Sequence, residues 1–481
     1  MTKYPPLWLK LKNKLPQIIF AFFLASIVFL LYSNLGRDAL FDWDEGIYAE
    51  LGRQLVVTKN IFITFWNGAA WLEKPPGIAW LSGLGIALAG PTAYGARLFM
   101  PLVAIYVLYV VYRIGTHLGN WKHGMIAAGV LASLNLFLGR TRAVNTDMAL
   151  LASITTTILF LLESRPAWWV ALAIFGGVWF KGIAGLMSVI IALPLFLQKP
   201  KTYVLRTIYS VLILIIPWHL YAYLKYHREF LTPYLFEQVL RRATAQIEFH
   251  FETRWYYFNY LYENLGIGVL LVAGLGAVST LFTRKNLYLL WWVLAPLTIF
   301  TLAKTRLFWY ILPIYPAISL LIAQIIGGFQ SSKVSKNVVS VLAVGIITQA
   351  IMATSKSVEL KKTIAIIPDR VQVAQSLGKL TSQPLSVLVP PSERLSEALL
   401  PEVAKLTSSF RYGGMPSVVY YYGGKVDFYY DVDKFRDYWE NAESPLVLIA
   451  AEDAKFVPGE YRTLISTETY LGIVKGDYAH R

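Results

Sequence analysis

The feature that most constrains this chain is a succession of apolar runs, each roughly fourteen to twenty residues long, divided by short loops that carry much of its Lys and Arg. The runs cover residues 17–35, 77–90, 96–114, 125–138, 148–162, 168–180, 183–197, 208–223, 266–282, 287–302, 307–326 and 338–353. A single soluble core has no use for so many segments of this length. Composition agrees. Of 481 residues, 56% are hydrophobic and 15% charged, against roughly 25% charged in an ordinary soluble protein. The pattern predicts an all-α polytopic membrane protein with about eleven transmembrane helices. The run 77–90 is short for a span and reads as an interfacial or re-entrant helix.

Charge sets the expected sidedness. Lys10, Lys12 and Lys14 precede the first run, which places the N-terminus in the cytoplasm. That run lacks a small-residue cleavage pattern and reads as a retained span. Basic loops near residues 120, 203, 284 and 334 then fall on the same side. The phase puts loops 36–95 and 225–260 on the extracytoplasmic face of a bacterial-type inner membrane. The second loop is too long for a simple connection. A net charge of +15 is thereby explained without nucleic acid as a partner. The absence of Cys excludes disulfides and thiolate metal sites. After residue 355 no run of span length remains. Short β-branched or aromatic stretches at 384–390, 417–422 and 445–451 predict strands, and 371–380 and 433–441 predict helices. The expected organisation is a membrane domain over 1–355 and a small extracytoplasmic α/β domain over 356–481.

Two polar clusters stand out on the outer face. Asp42, Asp44 and Glu45 follow directly on the first run, and Glu73-Lys74-Pro75-Pro76 comes shortly after. Ile47, Leu51 and Leu55 recur at helical spacing and predict an amphipathic helix over 44–57, lying on the membrane surface. A plain structural reading makes Asp42 and Glu45 a capping box for that helix. A chemical reading makes one carboxylate a general base toward an acceptor hydroxyl, beside a boundary of low dielectric. Glu73 and Lys74 are either a snorkelling ion pair or a site where Lys74 neutralises a phosphate leaving group. Arg140 and Arg142, beside Asp147, break the positive-inside pattern, so a local anionic partner is expected. Lys181, Lys304, Arg306 and Tyr310 extend this set of substrate-binding candidates, with Arg241 and Arg242 in the long loop. A divalent metal ion is the one cofactor allowed for, with Asp44, Glu73 and His250 as its candidate ligands. His219 is a weaker candidate, since a lone His is more often structural.

The stretch Asp44-Glu45-x-x-Tyr48-Ala49-Glu50, followed by Asn67-Gly68 and Glu73-Lys74-Pro75-Pro76, resembles the first extracytoplasmic loop of the aminoarabinose transferase and protein O-mannosyltransferase group, whose members have the GT-C glycosyltransferase fold. Arg142 to Asp147, Lys181-Gly182, Pro217-Trp218 and the segment from Lys304 to Pro313 come in the order that group shows. The resemblance covers roughly residues 15–325. It implies a membrane enzyme that takes a sugar from a polyprenyl-phosphate carrier to a lipid, glycan or protein acceptor, with inversion at the anomeric carbon. By motif position it implies Asp44 as the carboxylate nearest the reaction, with Glu45 and Asp147 as further catalytic candidates. Tyr48 would touch substrate, Glu73 the acceptor or a metal, and Lys74 the donor phosphate. Where the aminoarabinose enzymes tend to carry Arg, this chain has Ile47, so the resemblance names neither the sugar nor the acceptor. A lipid or solute transporter is the competing class. It would place ionisable groups near the bilayer midplane and show an inverted repeat, whereas these charges sit at span ends.

Overall fold

The computed structural model describes residues 7–245, 252–328, 365–391 and 412–476, with 341, 344–346 and 348–356 between them. In chain order, up to Tyr226, the helices are α1 (Leu7–Tyr32), α2 (Asp44–Thr58), α3 (Gly77–Ala89), α4 (Ala93–Arg97), α5 (Met100–Leu118), α6 (Trp121–Ser133), α7 (Asn135–Arg140), α8 (Thr146–Leu162), α9 (Ala167–Lys181), α10 (Met187–Phe196) and α11 (Lys201–Tyr226). The chain divides into two compact units. One gathers Met1–Leu35, Phe99–Arg228 and Gln238–Thr363; the other gathers Gly36–Leu98, Glu229–Glu237 and Ile364–Arg481.

The first unit is helical. Among the described residues, five helices are long and apolar enough to cross a membrane: Ala93–Leu118, Ala167–Phe196, Lys201–Tyr226, Tyr256–Thr283 and Phe308–Gly328. Gln17–Tyr32, Gly77–Ala89, Thr146–Leu162 and Tyr288–Leu302 are apolar but shorter. The eleven spans expected are thus not all met by length, and the expected span 338–353 lies partly outside the described residues. The run expected over 125–138 is broken at Leu134, whose backbone is extended. The Ser133 hydroxyl donates back to the Val130 carbonyl at 2.7 Å, the local bond that competes with a helix ladder. Helix α8 is buried along most of its length. It meets α9 and α10 through small polar groups: Ser153 Oγ donates to Ala173 O at 2.7 Å and lies 2.8 Å from Ser188 Oγ. Gly185 lets the chain fold back onto α9, because a Cβ there would stand 2.1 Å from the Gly177 carbonyl carbon. Small residues at such crossings substitute close backbone packing for the hydrophobic drive that lipid removes.

The second unit is α/β. A hairpin pairs β1 (Thr64–Trp66) with β2 (Ala69–Trp71) across Asn67-Gly68, both at positive φ, the pair that a two-residue turn of matching twist requires. The remaining strands are β3 (Leu385–Leu388), β4 (Val426–Tyr429), β5 (Leu446–Ala450), β6 (Tyr461–Ser466) and β7 (Tyr470–Lys475), in the order β4-β3-β5-β7-β6. The β4, β3 and β5 trio is parallel, and β7 and β6 close the sheet antiparallel. Helices Pro416–Tyr422 and Val432–Asn441 precede β4 and β5, as parallel crossovers demand. Leu388, Phe435, Trp439, Val447, Ile449 and Ile473 form the core against them.

Strands are found within 384–390 and 445–451, and helices at Asp369–Leu380 and Val432–Asn441, as expected. The stretch 417–422 is instead a helix, Pro416–Tyr422. Pro at its first turn and Gly423 at φ 79 beyond its end are strong helix punctuation, and they outweigh a β-type composition. Helix α2 forms where expected, but it is not a surface-lying amphipath: every residue from Glu45 to Gly52 is buried. It packs on α3 and on helix Pro416–Tyr422. Its buried Glu50 is answered by Arg53, at 2.7 Å to each carboxylate oxygen, and by Gln54 at 2.8 Å. Burial pushes the Glu50 carboxyl above its ordinary range, and these donors pull it part of the way back.

Trp439 is fully buried and donates its indole N–H to Pro458 O at 2.8 Å. Trp439→Ala should therefore cost this unit about 3–5 kcal/mol in urea unfolding of the purified protein. A loss below about 1 kcal/mol would mean that this core is not where the unit's stability lies.

Candidate active site

The acids that open the second unit do not share one environment. Trp43 occupies the N-cap of α2 at φ 65 with no side-chain cap, so the capping box is not formed. Asp42 turns away from the helix. Its Oδ1 accepts from the Ser417 backbone N–H at 3.0 Å and hydroxyl at 2.5 Å, and its Oδ2 accepts from Arg370 at 2.5 Å. Glu45 is deeply buried. Arg97 donates Nε–H to Oε1 at 2.8 Å and an Nη–H to Oε2 at 2.7 Å, and the Phe41 backbone N–H adds a bond at 2.8 Å. The same guanidinium donates to the carbonyls of Asp38 and Ala39, at 2.9 and 3.0 Å. Asp44 lies between these two braced acids in the first turn of α2. It is half-buried, and no hydrogen bond or ion pair engages its carboxylate among the described residues.

The second motif joins the same unit. Glu73 is buried, and its Oε1 accepts the Tyr412 hydroxyl at 2.8 Å; that hydroxyl in turn accepts the Trp71 indole N–H at 2.7 Å. Lys74 sets its ammonium over the rings of Tyr48 and Trp71, 5.6 and 5.3 Å from their centroids. Tyr48 is one turn along α2 from Asp44, so the two residues share a helix face. Two cation–π contacts help to hold Lys74 in place.

The helical unit holds a second polar cluster of its own. Asp147 is buried in the first turn of α8, which Asn145 caps through Met148 N at 2.9 Å. Arg140 and Lys181 both pair with the Asp147 carboxylate. The Arg140 guanidinium lies 4.8 Å from the Trp309 ring centroid and Lys181 5.6 Å from that of Tyr310. Arg242 donates to the Tyr310 hydroxyl at 2.9 Å. Lys304 is exposed. Arg306 is buried and spends its donors on the carbonyls of Glu252 and Thr301, at 2.6 and 2.9 Å. Arg142 donates to Ser33 O at 2.8 Å. Arg140, Lys181, Tyr310 and Asp147 are thus brought together, while Arg306 and Arg142 fasten backbone. His219 bonds to the Ile215 carbonyl of its own helix, and His250 lies outside the described residues. Among the described residues, no group of three or more His, Asp or Glu side chains converges as metal ligands would.

Sequence reasoning missed Arg97, Trp71, Arg370, Tyr412 and Ser417. Each is paired across a separation that no local pattern reports, up to 375 residues for Ser417 and Asp42. The Glu45–Arg97 fork supports a direct test. Breaking a buried ion pair by removing one partner costs about 3–5 kcal/mol. Glu45→Ala and Arg97→Ala should each lower the thermal midpoint of the purified protein substantially, and the double variant should lose less than the sum. Additive losses would show that the two side chains do not act as a pair.

Comparison with known proteins agrees with this architecture. The family of dolichyl-phosphate-mannose-protein mannosyltransferases matches residues 73–221. The undecaprenyl phosphate-alpha-4-amino-4-deoxy-L-arabinose arabinosyl transferase 2 of Proteus mirabilis is 24% identical over 65% of this chain and 59% of its own length. The chain thus spans under two thirds of that relative. An uncharacterized protein of Aquifex aeolicus is 24% identical over 72% of this chain and 71% of its own. Among solved structures, ArnT from Cupriavidus metallidurans bound to undecaprenyl phosphate superposes with a TM-score of 0.72, at 14% identity, over 95% of this chain and 98% of that one. The archaeal oligosaccharyltransferase AglB from Archaeoglobus fulgidus gives 0.55 at 12% identity, over 90% and 70%. The chain thus shares its fold with ArnT and AglB, and over residues 73–221 it resembles the mannosyltransferase family.

Proposed function

We propose that this protein is an integral membrane glycosyltransferase that moves a sugar from a polyprenyl-phosphate carrier to an acceptor on the extracytoplasmic side, with inversion. The observation that carries the reading is the contrast among neighbouring acids. Asp42, Glu45, Glu50 and Glu73 each accept named hydrogen bonds, and Asp44 alone of this group has none among the described residues. A carboxylate already saturated by donors is a poor base, because its charged form is stabilised. A half-buried carboxylate without such donors can take a proton.

In the reaction, Asp44 accepts the proton of the acceptor hydroxyl as its oxygen attacks the anomeric carbon. The bond from that carbon to the phosphate oxygen breaks, and polyprenyl phosphate leaves with the electron pair. Attack opposite the leaving group inverts the centre. Lys74, oriented by Tyr48 and Trp71, meets the negative charge that grows on the phosphate. Within the helical unit, Arg140 and Lys181 lie beside Trp309 and Tyr310, aromatic neighbours of the kind found at a membrane interface. The acceptor is a lipid, a glycan or a protein.

The reading is tested with purified protein, an envelope extract as acceptor, and a panel of undecaprenyl-phosphate-linked aminoarabinose, arabinose and mannose, with release of undecaprenyl phosphate as the readout. At least one lipid should be turned over. Asp44→Asn should lower kcat by roughly a hundredfold or more, the size of a lost general base, with little change in thermal midpoint. Unchanged turnover in Asp44→Asn removes that residue from its role.

A further inference from the structure

The segment Tyr412–Ser417 reaches both acid motifs of the second unit within six positions of chain. At one end Tyr412 donates its hydroxyl to Glu73. At the other, Ser417 donates its backbone N–H and hydroxyl to Asp42. Between them Gly413 and Gly414 stand at φ 65 and 69, two successive left-handed residues that let the chain reverse sharply. A Cβ on Gly413 would lie 2.1 Å from the Phe428 ring, so the turn is also pressed against β4. Met415 and Pro416 then lead into helix Pro416–Tyr422, which packs on α2.

We propose that this turn is a positioning element for the first-loop acids, and that Tyr412 acts on the reaction through Glu73. The inference rests on the reading above, in which Glu73 belongs to the site. The hydroxyl is well suited to the task. The Trp71 indole N–H donates to its oxygen, which polarises the phenol and strengthens the bond it donates to the carboxylate. The Tyr412 ring is itself fixed, edge-on to Trp66 with centroids 4.7 Å apart. Trp71, which starts this relay, is also one of the two rings under Lys74. Loss of the hydroxyl would leave Glu73 short of a donor and the indole short of an acceptor. The ring would keep its packing. Tyr412 touches neither donor nor acceptor in this account, so it is a positioning residue.

A double-mutant cycle separates this role from general stability. Tyr412→Phe, Glu73→Gln and the pair are compared for kcat, for donor KM with the panel lipid that is turned over, and for thermal midpoint. Tyr412→Phe should lower kcat by roughly tenfold, the size of one charge-assisted hydrogen bond, with donor KM and midpoint little changed. In the Glu73→Gln background it should cause almost no further loss, because groups that act through one another are non-additive. Glu73→Gln impaired, but Tyr412→Phe either silent or additive with it, overturns the positioning role and leaves the reading of Glu73 standing. Full turnover in Glu73→Gln, or no turnover of any panel lipid by the wild type, overturns that reading and the inference with it.

Discussion

The buried fork between Glu45 and Arg97 holds the second unit's first segment together. Arg97 closes α4 at one end of that segment. Its guanidinium meets Glu45 at the start of α2 and the carbonyls of Asp38 and Ala39 ahead of it. Five planar donors in a fixed geometry suit this task, and Lys could not do it. The fork ties together two points 52 residues apart and fixes the entry to α2. Without it, two charges would be stranded in a dry environment, which costs more than their pairing returns.

Once that entry is fixed, the other acids are sorted by their surroundings. Asp42 is drawn outward to Ser417 and Arg370, Glu45 inward to Arg97, and Glu50 to its own helix neighbours. Asp44 is left at the first turn of α2 with no such donors among the described residues. Four carboxylates within nine residues of chain would repel one another if all were left in the open. Pairing the others with cations and donors is what allows one to stay unengaged. The glycosyl-transfer reading draws on this division of labour more than on acid content, because a cluster of bonded carboxylates is a scaffold and has little capacity for proton transfer.

The legible part of the sequence was the part written locally. Hydrophobic runs and basic loops speak through neighbouring residues, and helices follow from them; the hairpin across Asn67-Gly68 went unpredicted although its turn signal is equally local. The motif around Asp44 and Glu73-Lys74 was visible because its residues are close in the chain. The environment of those residues was not. The Tyr412 hydroxyl comes to Glu73 across 339 residues, and nothing in the composition of either segment points to the other. Glu45 reads as a catalytic candidate from its place in the motif, and the forked Arg97 that holds it is invisible to that reading. The helix Pro416–Tyr422 was hidden for a different reason. Its Val and Tyr content is that of a strand, and its identity lies in Pro416, Gly423 and the packing against α2. In the span count, length alone separates five helices from the shorter apolar ones, and short runs can satisfy a hydropathy pattern without reaching across a bilayer.

The central claim is that an unengaged acid is held on the extracytoplasmic side of a polytopic body. The chain has no native Cys, so a single introduced thiol reports its own location. Trp43→Cys, at an exposed position beside Asp44, is treated in intact cells with a membrane-impermeant maleimide, alongside Arg284→Cys in the basic loop that should face the cytoplasm. The account predicts labelling of the residue 43 thiol in intact cells and of the residue 284 thiol only after permeabilisation. The reverse pattern would contradict it.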